Sequence, residues 1–235
     1  MALKTGVIGP AGFGGSYLTI ELLSRGHAVR GISRNPEKLG KHHDYSLYPI
    51  DIEGCSTEKL IEAFSGLDVL VNEYGPHSSG ETALQYRSAL RNYRNARLQL
   101  LAGHQDGATL QVIQDYEKAV LQSDKALTFV TACRTSYMFF NGNTSFPWTF
   151  VSPSALYRPG KRTGHYEVIF DELPVKPAQS PDSSQSFDGR LHGISVADLA
   201  IAIADEAERK EKVWTHWSAF GDLSDDTPTV SYVTL

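Results

Sequence analysis

The chain has 235 residues, of which 41% are hydrophobic and 21% are charged, and its formal net charge is −5. This composition is typical of a globular domain that buries a core, and it excludes a chain that is disordered throughout. A mildly acidic chain also has no bulk attraction for nucleic acid or for an anionic membrane, so neither is expected as a partner. The length predicts a single domain over residues 1–235.

The first elements follow the order strand, glycine-rich turn, helix, strand. The apolar run 3–8 ends at a glycine cluster, and the apolar positions within 16–25 fit a helix that packs on a sheet. Gly26 ends this helix, and residues 28–32 form the second predicted strand. Because these elements occupy only about 30 residues, they predict the βαβ unit of a dinucleotide-binding fold.

The turn carries the spacing G-x-x-G-x-x-G through Gly9, Gly12 and Gly15. Glycine is needed where the backbone turns sharply and where it approaches a pyrophosphate without a Cβ in the way. The N-terminus of the following helix adds free N–H groups and a partial positive charge. The turn is therefore predicted to bind the pyrophosphate of a dinucleotide.

The end of the second strand indicates which dinucleotide is bound. An acidic residue here would bind the ribose 2′-hydroxyl of NAD, whereas an arginine accommodates the 2′-phosphate of NADP. The chain has no acid before Glu37, while Arg34 occupies the expected position and Lys38 is nearby. These residues favour NADP as the cofactor.

Two segments together carry a family resemblance. Residues 7–15 (VIGPAGFGG) and 34–38 (RNPEK) resemble the atypical short-chain dehydrogenases of the NmrA-like and flavin-reductase-like group. That group usually has G-A-T-G-x-x-G followed by V-R-N-P-E-K, and Pro10 and Ala11 replace its Ala-Thr pair without changing the glycine frame. The resemblance implies an α/β Rossmann-type fold with a doubly wound, mostly parallel sheet and a small C-terminal substrate-side region.

The resemblance continues through the third and fourth predicted strands. Asp51 and Ile52 follow the apolar run 47–50, and the family pattern implies that they lie beside the adenine. After a predicted helix over 56–64 and a strand over 67–72, residues 73–76 are similar to a loop that passes close to the nicotinamide ribose. Asn72 and Glu73 depart from the small residues usual there, so Glu73 or Tyr74 is expected in the pocket.

The C-terminal third matches the group again. Residues 148–157 (WTFVSPSALY) resemble a buried strand that runs into substrate-side loops, and these loops are expected within 153–192. Residues 191–198 resemble the group's I-S-x-x-D stretch, in which Ser195 and Asp198 also form a helix start. A helix is predicted from Val196 to about Arg209, and a last strand from Val213 to Phe220.

The glycine motif and the resemblance together predict a set of cofactor-binding residues. They are Gly9, Gly12, Phe13, Gly14, Gly15, Ser33, Arg34, Lys38, Asp51, Ile52, Asn72, Tyr74, Gly75, Ser152 and Pro153.

The middle of the chain, residues 77–146, does not align with the group. It contains a capping-box helix start at 78–81, an arginine stripe on the following helix that we interpret as a solvated face, and a second helix over 109–122. The fifth strand of the sheet is either 97–102 or 127–131, and the second is preferred because it is richer in β-branched residues.

The sequence contains no Tyr-x-x-x-Lys, the pair that protonates the carbonyl oxygen in standard short-chain dehydrogenases. Its absence fits the atypical group, in which the protein mainly orients the substrate. Any acid must then come from the strand ends or the substrate-side loops. The candidates are Glu73, Tyr74, Tyr157 and His165, and Tyr74 is preferred because it follows the fourth strand directly.

The resemblance implies an NADP-dependent oxidoreductase that passes hydride to a flat, conjugated small molecule such as a quinone, flavin or aromatic ketone. An aromatic wall for such a ligand is expected from Tyr74, Met138, Phe139, Phe140 and Tyr157. Two alternatives remain open. One is a biosynthetic isomerase, cyclase or dehydratase with no net redox change, and the other is a redox sensor that binds NADP without turnover. A homodimer is also left open.

The sequence contains no motif for a metal site, a disulfide framework or a membrane span. There is no H-x-x-x-H or C-x-x-C, so no metal site is predicted, and Cys55 and Cys133 are too few for a disulfide framework. The N-terminal apolar run is interrupted by glycines, and no window reaches the ~18 apolar residues of a membrane span. These features predict a cytoplasmic protein that does not bind membranes.

Overall fold

The computed structural model describes residues 1–74, 137–138, 140–154, 156–176, 191–221 and 223. Within these ranges, the N-terminal part forms a parallel sheet whose four described strands have the order β3-β2-β1-β4. The strands are β1 (Lys4–Ile8), β2 (Ala28–Ser33), β3 (Tyr45–Pro49) and β4 (Val69–Asn72). Because the chain moves outward to β3 and then returns to β4 on the other side of β1, the order reverses beside β1. The predicted Rossmann-type fold is confirmed.

Both faces of this sheet are covered at its central strands, β1 and β2, as is typical of a parallel sheet. On one face, Val7 and Val29 pack against the helix α1 (Phe13–Ser24) through Leu18 and Leu22. On the other face, Ile8 and Ile32 pack with Leu60 of the helix α2 (Thr57–Phe64). Successive residues of β1 therefore serve opposite cores, which is the period-two pattern of a strand covered on both sides.

Helix α1 also packs against helix α3 (Val196–Arg209), through Ala200 and Ala204 of α3. Contact with the sheet on one side and with α3 on the other explains why α1 is largely apolar rather than sharply two-faced. The predicted start of α3 is confirmed, because the Ser195 hydroxyl accepts a hydrogen bond from the Asp198 N–H at 3.0 Å. Ser56 caps α2 in the same way.

The described residues of the C-terminal part add five short strands. Their bounds are β5 (Thr149–Pro153), β6 (Leu156–Arg158), β7 (Glu167–Phe170), β8 (Gly193–Ser195) and β9 (Thr215–Phe220). Strand β9 pairs with β5 in parallel and with β7 in antiparallel orientation, while β6 pairs with β8. The fully buried Trp217 anchors this region, and its indole N–H donates to the Thr149 hydroxyl at 2.8 Å.

Three of these strands were not predicted from the sequence. β6, β7 and β8 have only three or four residues each, which is too short for an alternating pattern to appear. The range 153–192, expected to form loops, therefore contains the strands β6 and β7.

Several predictions lie outside the described residues. They concern the helices predicted after residue 78 and over 109–122, both candidates for the fifth strand, and the residues Gly75 and Phe139. Among the helices that are described, none is both long and apolar enough to cross a membrane.

Candidate functional site

A cleft of about 180 Å³ opens where the first strands of the parallel sheet end. Its walls come from the glycine turn after β1, the end of β2, the segment after β3 and the second residue after β4. In open α/β sheets, ligands bind at the carboxyl ends of the strands, where the strand order reverses. The lining residues are Gly9, Ala11, Gly12, Ser33, Arg34, Asn35, Lys38, Ile50, Asp51, Ile52, Glu53 and Tyr74.

The glycine turn is shaped by close backbone contacts. Gly9 has a φ of +78°, a left-handed conformation that favours glycine, and its carbonyl accepts a hydrogen bond from the Gly12 N–H at 3.0 Å. A Cβ on Gly15 would overlap that same carbonyl oxygen, so helix α1 can pack on the turn only with glycine there. The turn thus brings the helix N-terminus to the edge of the cleft.

Gly12 has a different role from its neighbours. Its backbone is extended, with φ −74° and ψ 174°, so the conformation itself does not require glycine. A Cβ built there would meet only the Gly9 carbonyl oxygen, at 3.2 Å, and Gly12 lines the cleft. Open space at this point fits a pyrophosphate that approaches the backbone closely.

Cationic and polar groups form the wall at the end of β2. Arg34 and Lys38 line the cleft together with Ser33 and Asn35. No acidic side chain from β2 or from residues 34–36 is present there, because the first acid after the strand is Glu37 in the short 3₁₀ helix Pro36–Leu39. This wall can hold a phosphate on the ribose of a bound nucleotide.

Tyr74 belongs to the same cleft. Its ring packs with the Ile8 and Ile32 cluster, and its hydroxyl donates a hydrogen bond to the carboxylate of Glu53. Burial and the nearby Glu53 raise the pKa of Tyr74 to about 12, so the phenol stays neutral at ordinary pH. The structure therefore places Tyr74 in the nucleotide cleft, and none of the other acid candidates lines this cleft.

Glu73 points to the opposite side of the chain. Its Oε2 atom and the Tyr157 hydroxyl both lie close to Gly14, in the first turn of α1. A Cβ added to Gly14 would be 2.5 Å from the Glu73 Oε2 atom and 2.8 Å from the Tyr157 hydroxyl oxygen. The ring of Tyr157 packs against Phe13 at a centroid distance of 5.2 Å. A carboxyl group and a phenol thus meet beside the helix N-terminus, with glycine leaving the space for them.

The environment of this pair perturbs both groups. Burial raises the pKa of Glu73 to about 7, so its carboxyl group can hold or release a proton near neutral pH. Burial, reinforced by the charge of Glu73, raises the pKa of Tyr157 well above its usual range. Tyr157 is therefore a hydrogen-bond donor, whereas Glu73 is the group that can exchange a proton.

The loop after β6, the strand that carries Tyr157, is tied to α1 and α3. Arg162 donates two hydrogen bonds to the carboxylate of Glu21 on α1, at 2.9 and 3.0 Å. The backbone N–H groups of Thr163 and Gly164 both donate to Asp198 of α3, at 2.8 and 2.9 Å. Burial alone would raise the pKa of Glu21, but the hydrogen bonds from Arg162 and Arg25 outweigh it and lower the pKa. Glu21 therefore remains charged and holds the loop.

Other predicted site residues lie apart from the cleft. The Ser152 hydroxyl is hydrogen-bonded to His216, and neither Ser152 nor its neighbour Pro153 lines the cleft. His165 is exposed in the loop held by Asp198. Asn72 is exposed, and its side-chain oxygen accepts a hydrogen bond from the Tyr74 N–H at 3.2 Å. Phe13, Gly14 and Gly15 form the first turn of α1.

The predicted aromatic wall is distributed over several places. Tyr74 lines the cleft and Tyr157 lies beside Glu73, whereas Phe140 packs against Trp148 and Phe150 and the side chain of Met138 is exposed. Sequence reasoning missed four residues that line the cleft: Ala11, Asn35, Ile50 and Glu53. Each is adjacent to a predicted residue, so the strand-end pattern could have indicated them.

One group of metal-ligating side chains occurs in the described parts of the chain. The donor atoms of His42, His43 and Asp44 lie within 4.8 Å of one another. His43 is largely exposed and forms an ion pair of 2.7 Å with Asp44. The three residues are consecutive and lie away from the cleft, so we assign them no part in its chemistry.

The crevice lies where the strand order of a parallel sheet reverses. A glycine turn and a helix N-terminus form one side of it, and an arginine lies on the other. These features define a Rossmann-type dinucleotide-binding protein. The profile of the NAD(P)H-binding family matches residues 9–207. The chain belongs to this family, which confirms the predicted resemblance to an NAD(P)-binding family.

Similar proteins have different names. The chain is 28% identical over 219 residues to the uncharacterized protein YwnB of Bacillus subtilis (strain 168), covering 89% of this chain and 94% of YwnB. A "putative epimerase" from Bacteroides thetaiotaomicron is 24% identical, with a TM-score of 0.69 over 95% of this chain and 99% of that one. A "putative NADH-flavin reductase" from Streptococcus pneumoniae TIGR4 is 20% identical, also with a TM-score of 0.69, over 94% and 100%. The two structures share the fold.

Proposed function

We propose that this protein is an NADP-dependent oxidoreductase that transfers hydride to a flat, conjugated small molecule such as a quinone, a flavin or an aromatic ketone. The observation that carries the proposal is the cationic wall at the end of β2, where Arg34 and Lys38 line the cleft. The acceptor class rests on the family resemblance, and the name of the Streptococcus pneumoniae relative agrees with it.

The residues of the cleft fit the parts of the cofactor. The turn from Gly9 to Gly12 would hold the pyrophosphate, Arg34 and Lys38 the 2′-phosphate, and Asp51 and Ile52 the adenine end. The bound nicotinamide supplies the hydride. All other chemistry depends on the side chains of the protein.

The acid–base group of this proposal is the pair formed by Glu73 and Tyr157. Both polar atoms lie next to Gly14, whereas the Tyr74 hydroxyl is bonded to Glu53 in the cleft. Tyr157 would donate a hydrogen bond to the carbonyl oxygen of the acceptor and orient it. Glu73, with a pKa of about 7, would supply the proton that neutralises the reduced product.

The same pair also favours a second function, an isomerase or epimerase with no net redox change. A carboxyl group that titrates near neutral pH can remove a proton from carbon and return it. The name of the Bacteroides thetaiotaomicron relative agrees with this alternative.

Oxidation of NADPH separates the two functions. We expect the purified protein to consume NADPH when a quinone, a flavin or an aromatic ketone is added, with one equivalent of reduced acceptor formed. NADPH mixed with each acceptor in the absence of protein is the control. If no acceptor accelerates NADPH oxidation, the oxidoreductase proposal is wrong, and conversion of a hydroxy or keto compound without cofactor consumption would support the isomerase.

Replacement of Arg34 tests the choice of cofactor. Wild-type protein should bind NADPH more tightly than NADH, and Arg34→Ala should remove this preference. Loss of one charge-assisted phosphate contact costs about 1.5–3 kcal/mol, or roughly 10- to 150-fold in Kd. Calorimetric titration of both dinucleotides measures the effect.

Lys41→Ala is the matched control for Arg34→Ala, because Lys41 is an exposed cation just beyond the short 3₁₀ helix and does not line the cleft. It should leave the NADPH preference unchanged. Equal affinity of the wild-type protein for NADH and NADPH would refute the assignment of NADP.

A further inference from the structure

A second group of reactive side chains lies in the C-terminal sheet, and the proposed oxidoreductase does not use it. The Ser152 hydroxyl is 2.9 Å from Nε2 of His216, and Nδ1 of His216 is 3.3 Å from Oδ1 of Asp171. A serine, a histidine and an aspartate in this order form the arrangement in which a histidine base activates a serine nucleophile.

The topology of the sheet brings the three residues together. β5 and β9 are parallel, and their register pairs Phe150 with His216, so Ser152 is two residues further along β5 on the same face. The imidazole can therefore reach along β5 to the Ser152 hydroxyl. Asp171 follows β7, and its N–H donates to the His216 carbonyl at 3.3 Å. Two strands and the residue that follows a third thus contribute the three side chains.

The surroundings of His216 define its protonation state. Asp171 lies at Nδ1, so this nitrogen carries the proton and Nε2 accepts the hydrogen bond from Ser152; this tautomer is assigned from the partners. Desolvation lowers the pKa of His216, even though Asp171 opposes the shift, which favours a neutral imidazole. Burial and the nearby charge of Asp171 raise the pKa of Tyr137, so its phenol stays neutral beside the carboxylate.

The site is partly open and has an aromatic border. The side chain of His216 is 17% exposed, and Ser152 is also neither fully buried nor fully exposed. The rings of Phe150 and Tyr137 lie 5.6 and 4.8 Å from the imidazole, measured between centroids. An aromatic border of this kind suits a small aryl or short acyl ester better than a charged substrate.

We propose that Ser152 is an activated nucleophile and that Ser152, His216 and Asp171 form a second reactive site, specific for small acyl esters. The Ser152 oxygen forms a bond to the ester carbonyl carbon while His216 Nε2 takes the hydroxyl proton. The bond from that carbon to the alcohol oxygen then breaks, and His216 returns the proton to the leaving alcohol. The product is an acyl ester on Ser152, which water hydrolyses to a carboxylic acid by the same steps. Ser152, first predicted as a cofactor contact, receives a different role.

One feature of the sequence limits the rate of this site. The residue after Ser152 is Pro153, which has no N–H and so cannot donate a hydrogen bond to the developing oxyanion from that position. Loss of one oxyanion donor typically costs a factor of about 10²–10³. We therefore expect covalent acylation of Ser152 with slow turnover rather than rapid ester hydrolysis.

Covalent labelling tests the proposal directly. A fluorophosphonate probe, which loses fluoride to a nucleophilic serine, should label the wild-type protein at one site, and peptide mass spectrometry should locate the label on Ser152. Ser152→Ala should not be labelled. His216→Gln should be labelled at least about 100-fold more slowly, because the general base is lost.

Ser218→Ala is the matched control. Ser218 lies on the same face of β9 as His216, but its hydroxyl donates to the carbonyl of Glu172 instead of to a histidine. It should be labelled at the wild-type rate. The measurement on the wild-type protein does not depend on the folding of any variant. If Ser152 is not labelled faster than serine in a free peptide, or if His216→Gln reacts as fast as the wild type, the proposal is wrong and the three residues only tie the strands together. Neither outcome affects the NADPH assay.

Discussion

Gly12→Val should abolish dinucleotide binding and leave the fold intact. The backbone of Gly12 is extended, which valine adopts readily, and its Cβ would meet only one neighbouring atom, the Gly9 carbonyl oxygen at 3.2 Å. The remaining methyl groups would project beside the cleft, where the pyrophosphate must approach the backbone. We expect Kd for NADPH to rise more than about 100-fold, equivalent to about 2.7 kcal/mol.

Two other glycines serve as controls for Gly12→Val. Gly15→Ala should disrupt the fold itself, because its Cβ would overlap backbone atoms of Gly9. Gly26→Ala has open space around the new methyl group but a φ of +78°, so it should cost about 1 kcal/mol of stability and leave NADPH affinity unchanged. Circular dichroism and calorimetric titration distinguish the three outcomes. Wild-type NADPH affinity in Gly12→Val would show that the glycine turn does not hold the cofactor.

Glu73→Gln should lower kcat by about 10²–10⁴-fold with little change in NADPH affinity, because the amide keeps the shape of the side chain but cannot transfer a proton. Tyr157→Phe should lower kcat as well, since the phenol that orients the acceptor is lost. Tyr74→Phe should mainly affect cofactor binding, because its hydroxyl is bonded to Glu53 in the cleft. Steady-state kinetics with NADPH and the best acceptor measure all three.

The pH dependence of Glu73 has a defined sign. Burial raises its pKa to about 7, so the carboxyl group is protonated below that pH and ionised above it. If Glu73 donates the proton in reduction, kcat should fall as pH rises through about 7, and Glu73→Gln should remove this dependence. Glu62→Gln, an exposed change on α2, is the control and should leave kcat unchanged. A large fall in Tyr74→Phe with an unchanged Glu73→Gln would instead identify Tyr74 as the acid.

Local sequence determined most of the nucleotide-binding half of the fold. The glycine turn, the first helix and the strand after it depend on interactions between residues close in the chain, and so does the Ser195 cap on α3. Arg34 was predictable because it directly follows β2, whose end lies at the cleft, and Lys38 because it lies in the short 3₁₀ helix just after it. The C-terminal strands β6, β7 and β8 were not, because each is too short to show a periodic pattern.

Only the tertiary structure decided which acid candidates lie in the nucleotide cleft and which lie beside Gly14. Glu73 and Tyr74 are neighbours in the sequence, and each could have been the acid. Beyond β4, however, successive side chains point in opposite directions, so Tyr74 joins the nucleotide cleft while Glu73 meets Tyr157 beside Gly14. Tyr157 lies in β6, which pairs with β8, and the loop after β6 is bonded to α1 through Arg162 and Glu21, 141 positions apart in the chain.

The Ser152–His216 contact was equally hard to predict from the sequence, because the two residues are 64 positions apart in the chain. Sequence patterns report which face of a helix or strand is apolar, but contacts over such separations depend on strand order and register. Those are set by the packing of the whole chain.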